Sequence, residues 1–328
     1  MLQIDTDQSM RGNPCLRQAG GNLPSNPWLN TKHRATIIAR VLRWYKKNGR
    51  SLPWRGERDP YRVLLSEVML QQTQVVRVIL KYPEFLEKFP SLSKLAHARS
   101  SVVIKAWRGM GYNNRALRLR RLAETVLNDF EGRIPSTVTD LMRLPGVGRY
   151  TAHAVACFAF HQRLPVVDTN ISRVLQRLYP RSTRVDRPHE SDAWDLATAH
   201  LPHSNTYDWN QALMDLGALV CTADSPRCGV CPLQRICPSA HRRQQRKPQR
   251  ATAEPGREGI PNRIYRGRAI EILRDLKAGK TMHTSMLAKK VKEDYSSADR
   301  RWFSLLIKGL ERDGLVRLRG KTQISLPE

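Results

Sequence analysis

Four cysteines fall within seventeen residues, Cys221, Cys228, Cys231 and Cys237, in the spacing C-x6-C-x2-C-x5-C, and only Cys15 and Cys157 occur elsewhere in the 328 residues. Short, turn-rich segments (Ser225-Pro226, Gly229, Pro232, Pro238) separate them, so the thiolates can converge on one metal centre. Four soft sulfur ligands suit tetrahedral zinc or an iron–sulfur cluster. Disulfides are disfavoured, because no secretory signal precedes the chain and the domain is large. Structural zinc usually shows two tight CxxC knuckles, and only Cys228–Cys231 makes one here. The spacing favours one [4Fe–4S] cluster, with zinc as runner-up.

A partner follows from charge. The chain carries 56 Lys+Arg against 29 Asp+Glu, a formal charge of +27, which predicts a polyanion. Nucleic acid is the first candidate and an anionic membrane the second. No run of eighteen apolar residues exists and no apolar stretch follows the start, so insertion and export are unsupported and a cytoplasmic, nucleoid-associated protein is expected.

Residues 1–30, polar and rich in Gly, Pro and Asn, read as a flexible leader. Residues 31–238 form a succession of helical patterns, with apolar residues at three- and four-residue steps. They are expected at Ala35–Lys47, Pro60–Leu70, Gln74–Lys81, Ser100–Trp107, Asn114–Asp129, Val138–Arg143, Arg149–Phe160 and Asn170–Leu178. Strand signals are scarce, so the body is all-α. Residues 239–262 are dense in Arg, Gln and Pro and read as a basic linker. Residues 263–328 hold three short helical patterns (Arg268–Leu276, Thr284–Val291, Ala298–Asp313) and a β-prone tail, Gly314–Leu326, with a Gly320-Lys321 turn. Three helices and a hairpin outline a small winged helix, a DNA-binding variant of helix-turn-helix; a plain helical appendage is the competing description.

Between two helical patterns lies Leu144-Pro145-Gly146-Val147-Gly148-Arg149-Tyr150. Glycines at i and i+2 permit a sharp turn and close approach of another molecule. Amides at the N-terminus of the following helix can point together at an anion. Such a helix-hairpin-helix holds a DNA phosphate without reading sequence, making Gly146, Val147, Gly148 and Arg149 candidate DNA contacts. Further on, Val166-Val167-Asp168-Thr169-Asn170 opens another helix, where Asp168 alone would read as an N-cap.

The order LPGVGRYTA, VVDTN, then four cysteines resembles the endonuclease III superfamily of helix-hairpin-helix base-excision glycosylases, over roughly Pro27 to Cys237. The resemblance implies a two-lobed helical core with an iron–sulfur loop. Members with lyase activity carry a lysine where this chain has Tyr150, and a phenol cannot form a Schiff base, so a monofunctional hydrolase is implied. The string Leu65-Ser66-Glu67-Val68-Met69-Leu70-Gln71-Gln72-Thr73-Gln74-Val75 is similar to that of the MutY-type adenine glycosylases.

In that family the glutamate matching Glu67 is the catalytic acid, Asp168 would stabilise the sugar cation, Asn170 would support it and Tyr150 would hold Glu67. Leu70, Gln72 and Tyr112 match residues that fill the helix or press beside the opposing base; Trp54, Arg55, Gln211 and Asp215 match positions near the extruded adenine. The implied partner is duplex DNA with adenine opposite guanine or 8-oxoguanine, bound by a monomer. The pattern departs from the family in three places: residues 263–328 are too short for the usual NUDIX-like 8-oxoguanine-recognition domain, the family's second aromatic after Tyr112 is Asn113, and its glycine after the aspartate is Thr169. A thymine or uracil mismatch glycosylase on the same scaffold, and a non-catalytic cluster-bearing DNA-binding protein, are the alternatives.

Overall fold

The chain builds one apolar core, leaves it, and builds a second around its own beginning. In the computed structural model, residues 31–180, 190–241, 254–320 and 322–328 are described. The expected leader (1–30), part of the expected linker (242–253) and Lys321 of the hairpin turn lie outside them. The first core collects α2 (Pro60–Leu70), α3 (Val75–Lys88), α4 (Leu92–Ala96), α5 (Ser100–Ala106), α6 (Asn114–Asp129), α7 (Val138–Leu141) and α8 (Arg149–Phe158). The second packs α1 (Thr31–Asn48) with α9 (Thr169–Leu178), α10 (Glu190–Ala199) and α11 (Thr206–Leu219). Val166 belongs to the first core and Val167 to the second, so the chain crosses between lobes immediately before Asp168.

Helix α2 is the axis of the first lobe. Asp59 caps it by accepting from the Tyr61 amide at 2.8 Å, and Pro60 begins it with a pre-set φ. Its residues from Val63 to Met69 are all buried. A helix buried on every side has no wet face on which to place a charge. The carboxyl of Glu67 is therefore carried inside by the burial of Leu64, Leu65 and Met69, each worth about 1.5–3 kcal/mol.

Beyond the cysteines, β1 (Gly256–Arg257) and β2 (Ile260–Pro261) form a short antiparallel pair inside the stretch expected as linker. They lead into α12 (Asn262–Arg274), β3 (Met282–His283), α13 (Thr284–Val291), α14 (Arg300–Arg312), β4 (Arg317–Arg319) and β5 (Gln323–Ser325). The strands form an antiparallel sheet in the order β3-β5-β4, with Met282 and Leu318 both paired to Ile324. Helix, strand, two helices and a hairpin around Tyr265, Leu287, Phe303 and Ile324 make a winged-helix-like unit. Ile104 of α5 and Leu117 of α6 join the same apolar cluster, so the unit is seated on the first lobe.

The seat is polar at its rim. Arg274, 5% exposed, donates to the Ile104 carbonyl at 3.0 Å and to Asn113 Oδ1 at 2.8 Å. Arg108 of the first lobe pairs with Glu271 and Asp275 at 2.7 and 2.6 Å, and Lys105 Nζ donates to the Leu276 carbonyl at 2.8 Å.

The bounds of α2, α6 and α13 coincide with the sequence expectations. Helix α3 runs on through Pro83 to Lys88, where the spacing predicted an end at Lys81, because Tyr82 and Phe85 keep its inner face buried. Helices α4, α10 and α11 and strand β3 have no counterpart in the sequence reading. Among the described residues no helix is long and apolar enough to cross a membrane.

Candidate active site and DNA interface

Glu67, 6% exposed, meets Tyr150 from the start of α8 and the region of Asp168 at the lobe junction. Burial is the main force on its carboxyl and raises it from an ordinary 4.5 to about 7. A hydrogen bond from Tyr150 works in the opposite direction, and the charge of Asp168 adds to the rise. One oxygen, Oε2, is buried without a hydrogen-bond partner among the described residues. Burial first, then the two nearby carboxylates, pushes the Tyr150 phenol well above its ordinary value, so it stays a neutral donor.

Asp168 is half-buried and is the N-cap of α9. Oδ1 accepts from the Ile171 amide at 2.7 Å, and Oδ2 accepts from Asn170 Nδ2 at 2.7 Å. Asn170 Oδ1 in turn accepts from Arg173 at 2.7 Å, and Arg173 also donates to the Gly217 and Cys221 carbonyls, both at 2.8 Å. Gly217 lies against Asn170 so closely that a Cβ there would come within 2.6 Å of the Asn170 Cβ. The carboxylate is thus fixed from its own helix and from α11.

Of the expected helix-intruding residues, Leu70 closes α2 and is partly packed on the first core, and the other two sit on loops. Gln72 (φ 54°) and Tyr112 (φ 43°) are both exposed and both left-handed, a backbone region costly for non-glycine residues. A single side chain holds both turns. Arg115, 5% exposed, donates through Nη1 to the carbonyls of Val68, Met69 and Gln71, and through Nη2 to Thr73 Oγ1 and the carbonyls of Met110 and Gly111. Its guanidinium also lies over the rings of Trp107 and Tyr112 at 5.2 and 5.8 Å. The sequence reading passed over Arg115. Its signal was position: it falls on the apolar face of α6 with Leu119, Leu122 and Val126, where a charge needs internal partners.

In the hairpin Leu144 and Val147 are buried and anchor the turn, while Gly146 adopts φ 83°. Gly148, the N-cap of α8, is exposed with no atom within 4 Å of where a Cβ would stand, so the start of α8 is open to a phosphate. Arg149 is exposed and stacks on Trp194 at 3.9 Å.

Of the four residues expected near an extruded base, Arg55 and Asp215 are brought together. Fully buried Asp215 takes two bonds of 2.6 Å from Arg55 and one of 2.7 Å from Arg50 Nε, and these arginines hold it below its ordinary value despite burial. Trp54 packs edge-on against Tyr82 in the first core, and Gln211 is buried on α11.

The cysteines are free thiols and line one cavity of about 240 Å³. Among the described residues no three His, Cys, Asp or Glu side chains are grouped so as to hold a metal ion. Burial pushes the Cys231 thiol up to about 11, and the other three sulfurs add to the rise. Arg177 donates to Cys221 Sγ at 3.3 Å and to the Thr222 and Ala223 carbonyls at 2.7 and 2.9 Å. Arg227 of this loop folds back and donates to the Leu219 carbonyl.

A two-lobed helical body with a glycine hairpin beside a buried carboxylic acid is the architecture of base-excision enzymes. The family described as "HhH-GPD superfamily base excision DNA repair protein" matches residues 65–196. An adenine DNA glycosylase of Mycobacterium tuberculosis is 41% identical over 239 residues, which cover 71% of this chain and 77% of that protein. One from Mycolicibacterium smegmatis is 37% identical over 293 residues, 88% of this chain and 97% of its own, and so extends past Cys237 into the C-terminal unit. The solved structure of a thermostable thymine-DNA glycosylase, 31% identical, has a TM-score of 0.59 over 64% of this chain and 97% of its own. The chain belongs to the adenine DNA glycosylase family.

Proposed function

We propose that the chain is a monofunctional DNA glycosylase of base-excision repair, removing adenine mispaired with guanine or 8-oxoguanine from duplex DNA. Glu67 carries the reading: a buried carboxyl raised to about 7, with one oxygen unpartnered, is a proton donor awaiting a base. Extrusion of the adenine brings its N7 to Glu67, whose proton turns the base into a leaving group. As the bond from N9 to the sugar breaks, positive charge develops on the ring, and Asp168, oriented by Asn170 and the Ile171 amide, faces that cation. Water completes the hydrolysis, because Tyr150 offers no amine for a covalent sugar adduct.

Leu70, Gln72 and Tyr112 would occupy the helix left by the base, and Gly146, Val147, Gly148 and Arg149 would hold a phosphate, bound by one copy of the chain. Arg55 and Asp215, spent on one another, would shape the base pocket together with Trp54 and Gln211 rather than bond the base directly. Residues 31–238 would be the catalytic core and 263–328 a basic unit seated on it, with 239–262 the connection whose β1–β2 pair belongs to that unit.

Cys221, Cys228, Cys231 and Cys237 would hold one [4Fe–4S] cluster. The four cysteines line one cavity, and a spacing with a single CxxC knuckle suits an iron–sulfur cluster better than a two-knuckle zinc site. The hydrolysis needs no electron, so the cluster would staple the loop after α11. Iron and sulfide analysis with broad visible absorbance tests it, and stoichiometric zinc refutes it.

The activity is tested by single-turnover incubation with duplexes carrying A:G, A:8-oxoguanine, T:G and U:G pairs, followed by alkaline cleavage. Strand breaks at adenine, abolished by Glu67→Gln and by Asp168→Asn, are expected. Cleavage of the T:G or U:G duplex alone would move the chain to the thymine or uracil branch and overturn the proposal.

A further inference from the structure

We propose that α14 and the β4–β5 hairpin of the C-terminal unit form a second duplex-binding surface, gripping backbone phosphates independently of the catalytic cleft. One face of α14 is spent on the unit's core through Phe303, Leu306, Ile307 and Leu310. The other face exposes Arg300, Arg301, Ser304, Leu305, Lys308 and Arg312, and the adjoining hairpin exposes Arg317. In a winged helix this is the helix that meets DNA, with the wing beside it.

The distribution of acids separates this face from an ordinary solvated one. Most paired carboxylates of the unit are drawn elsewhere: Glu271 and Asp275 hold Arg108 across the seat, Asp299 holds Arg257 and Lys292, and Asp313 holds Arg266, while on the hairpin Glu328 takes Arg319 and leaves Arg317. The only acid on α14, Glu311, is turned to the hairpin, accepting from the Leu318 amide at 3.1 Å. Among the described residues no carboxylate pairs with Arg300, Arg301, Lys308, Arg312 or Arg317. The acids tie the unit together and to the first lobe, and α14 with its hairpin keeps five exposed cations that no carboxylate holds. Unpaired, exposed guanidinium and ammonium groups on a helix and an adjacent hairpin complement a duplex phosphate backbone.

The seat makes this surface part of the enzyme and not a tethered bead. Buried Arg274 bonds the Ile104 carbonyl and the Asn113 side chain, one residue from Tyr112. The second surface is therefore held at a fixed offset from the loop that would probe the duplex.

The experiment uses the full chain and a mismatch-free duplex, so it is independent of adenine excision. Arg300, Arg301, Lys308 and Arg317 are together replaced by Gln, and duplex affinity is measured by fluorescence anisotropy across a sodium chloride series. Each lost phosphate contact lowers the log–log salt slope by about 0.9, so a fall of roughly 2–4 is expected, with affinity at low salt at least about tenfold weaker. A second variant, Leu305→Glu, changes a side chain 62% exposed and leaves the core of the unit untouched. It is expected to weaken the duplex severalfold by repelling phosphates. Wild-type affinity and slope in both variants would overturn the proposal. So would loss of binding to anionic lipid vesicles with duplex binding intact, which would assign the surface to a membrane.

Discussion

If Glu67 is held protonated by its surroundings, it lowers stability at the pH where it is most useful. Its carboxyl rises from 4.5 to about 7 on folding, an increase of about 2.5 pH units and, at 1.36 kcal/mol per unit, about 3 kcal/mol. The folded chain retains a proton that the unfolded chain releases. This group's contribution is therefore fully present below pH 4.5 and is lost as pH rises through 7. Integrated between pH 5 and pH 8, the loss is roughly 2.5 kcal/mol. Glu67→Gln removes the titration while keeping the shape. Its amide has a packing and hydrogen-bonding cost of its own, but that cost does not change with pH and cancels when two pH values are compared. The assay is urea unfolding of both proteins at pH 5 and pH 8. The variant should gain roughly 2.5 kcal/mol relative to the parent on going from pH 5 to pH 8. An equal gap at the two pH values would refute the burial-driven rise, and with it the picture of Glu67 as an acid poised near neutrality.

Two further outcomes test neighbouring groups. Tyr150→Phe removes a bond that favours the ionised Glu67, so the alkaline fall of the single-turnover rate should move up by roughly one pH unit or more; a fall at the parent's pH would show that the phenol does not bond the carboxylate. Arg115→Lys keeps the charge but cannot span six acceptors, and leaving even two buried carbonyls bare should cost about 2–5 kcal/mol in urea unfolding; a loss below about 1 kcal/mol would mean that the two loops hold themselves.

What was legible in the chain was whatever depends on neighbours in sequence. The cysteine loop and the LPGVG hairpin announce themselves through turn residues at short spacing, and α2 and α6 through uninterrupted apolar steps. Helix α11 was hidden because Asn210, Gln211 and Asp215 face inward there, so its buried stripe does not read as apolar. Their partners lie far away in the chain: Arg50 and Arg55 for Asp215, the Leu164 carbonyl and Val166 amide for Asn210. Arg115 and Arg274 were hidden for the same reason, being charges on apolar faces whose acceptors belong to other elements. Glu67 was legible only through the string around it, since a lone carboxylate in a helix carries no local mark of burial. Asp168 reads as a cap and is one; the role proposed for it beyond capping depends on where the lobes meet.

Because the Arg115 guanidinium closes the turn carrying Gln72 and the turn carrying Tyr112, the backbones of these two loops form a single inherited unit. Lengthening or shortening either loop would displace carbonyls that the other depends on, so insertions there should be rejected even though both loops lie at the surface. The side chains at Leu70 and Gln72 are free of that constraint, since Arg115 reaches neither, whereas the Tyr112 ring lies under the guanidinium. Preference for one opposing base over another can then drift by exchanging tips on an unchanged frame, and a loop grafted from a relative will seat only if its turn returns the same carbonyls to the arginine.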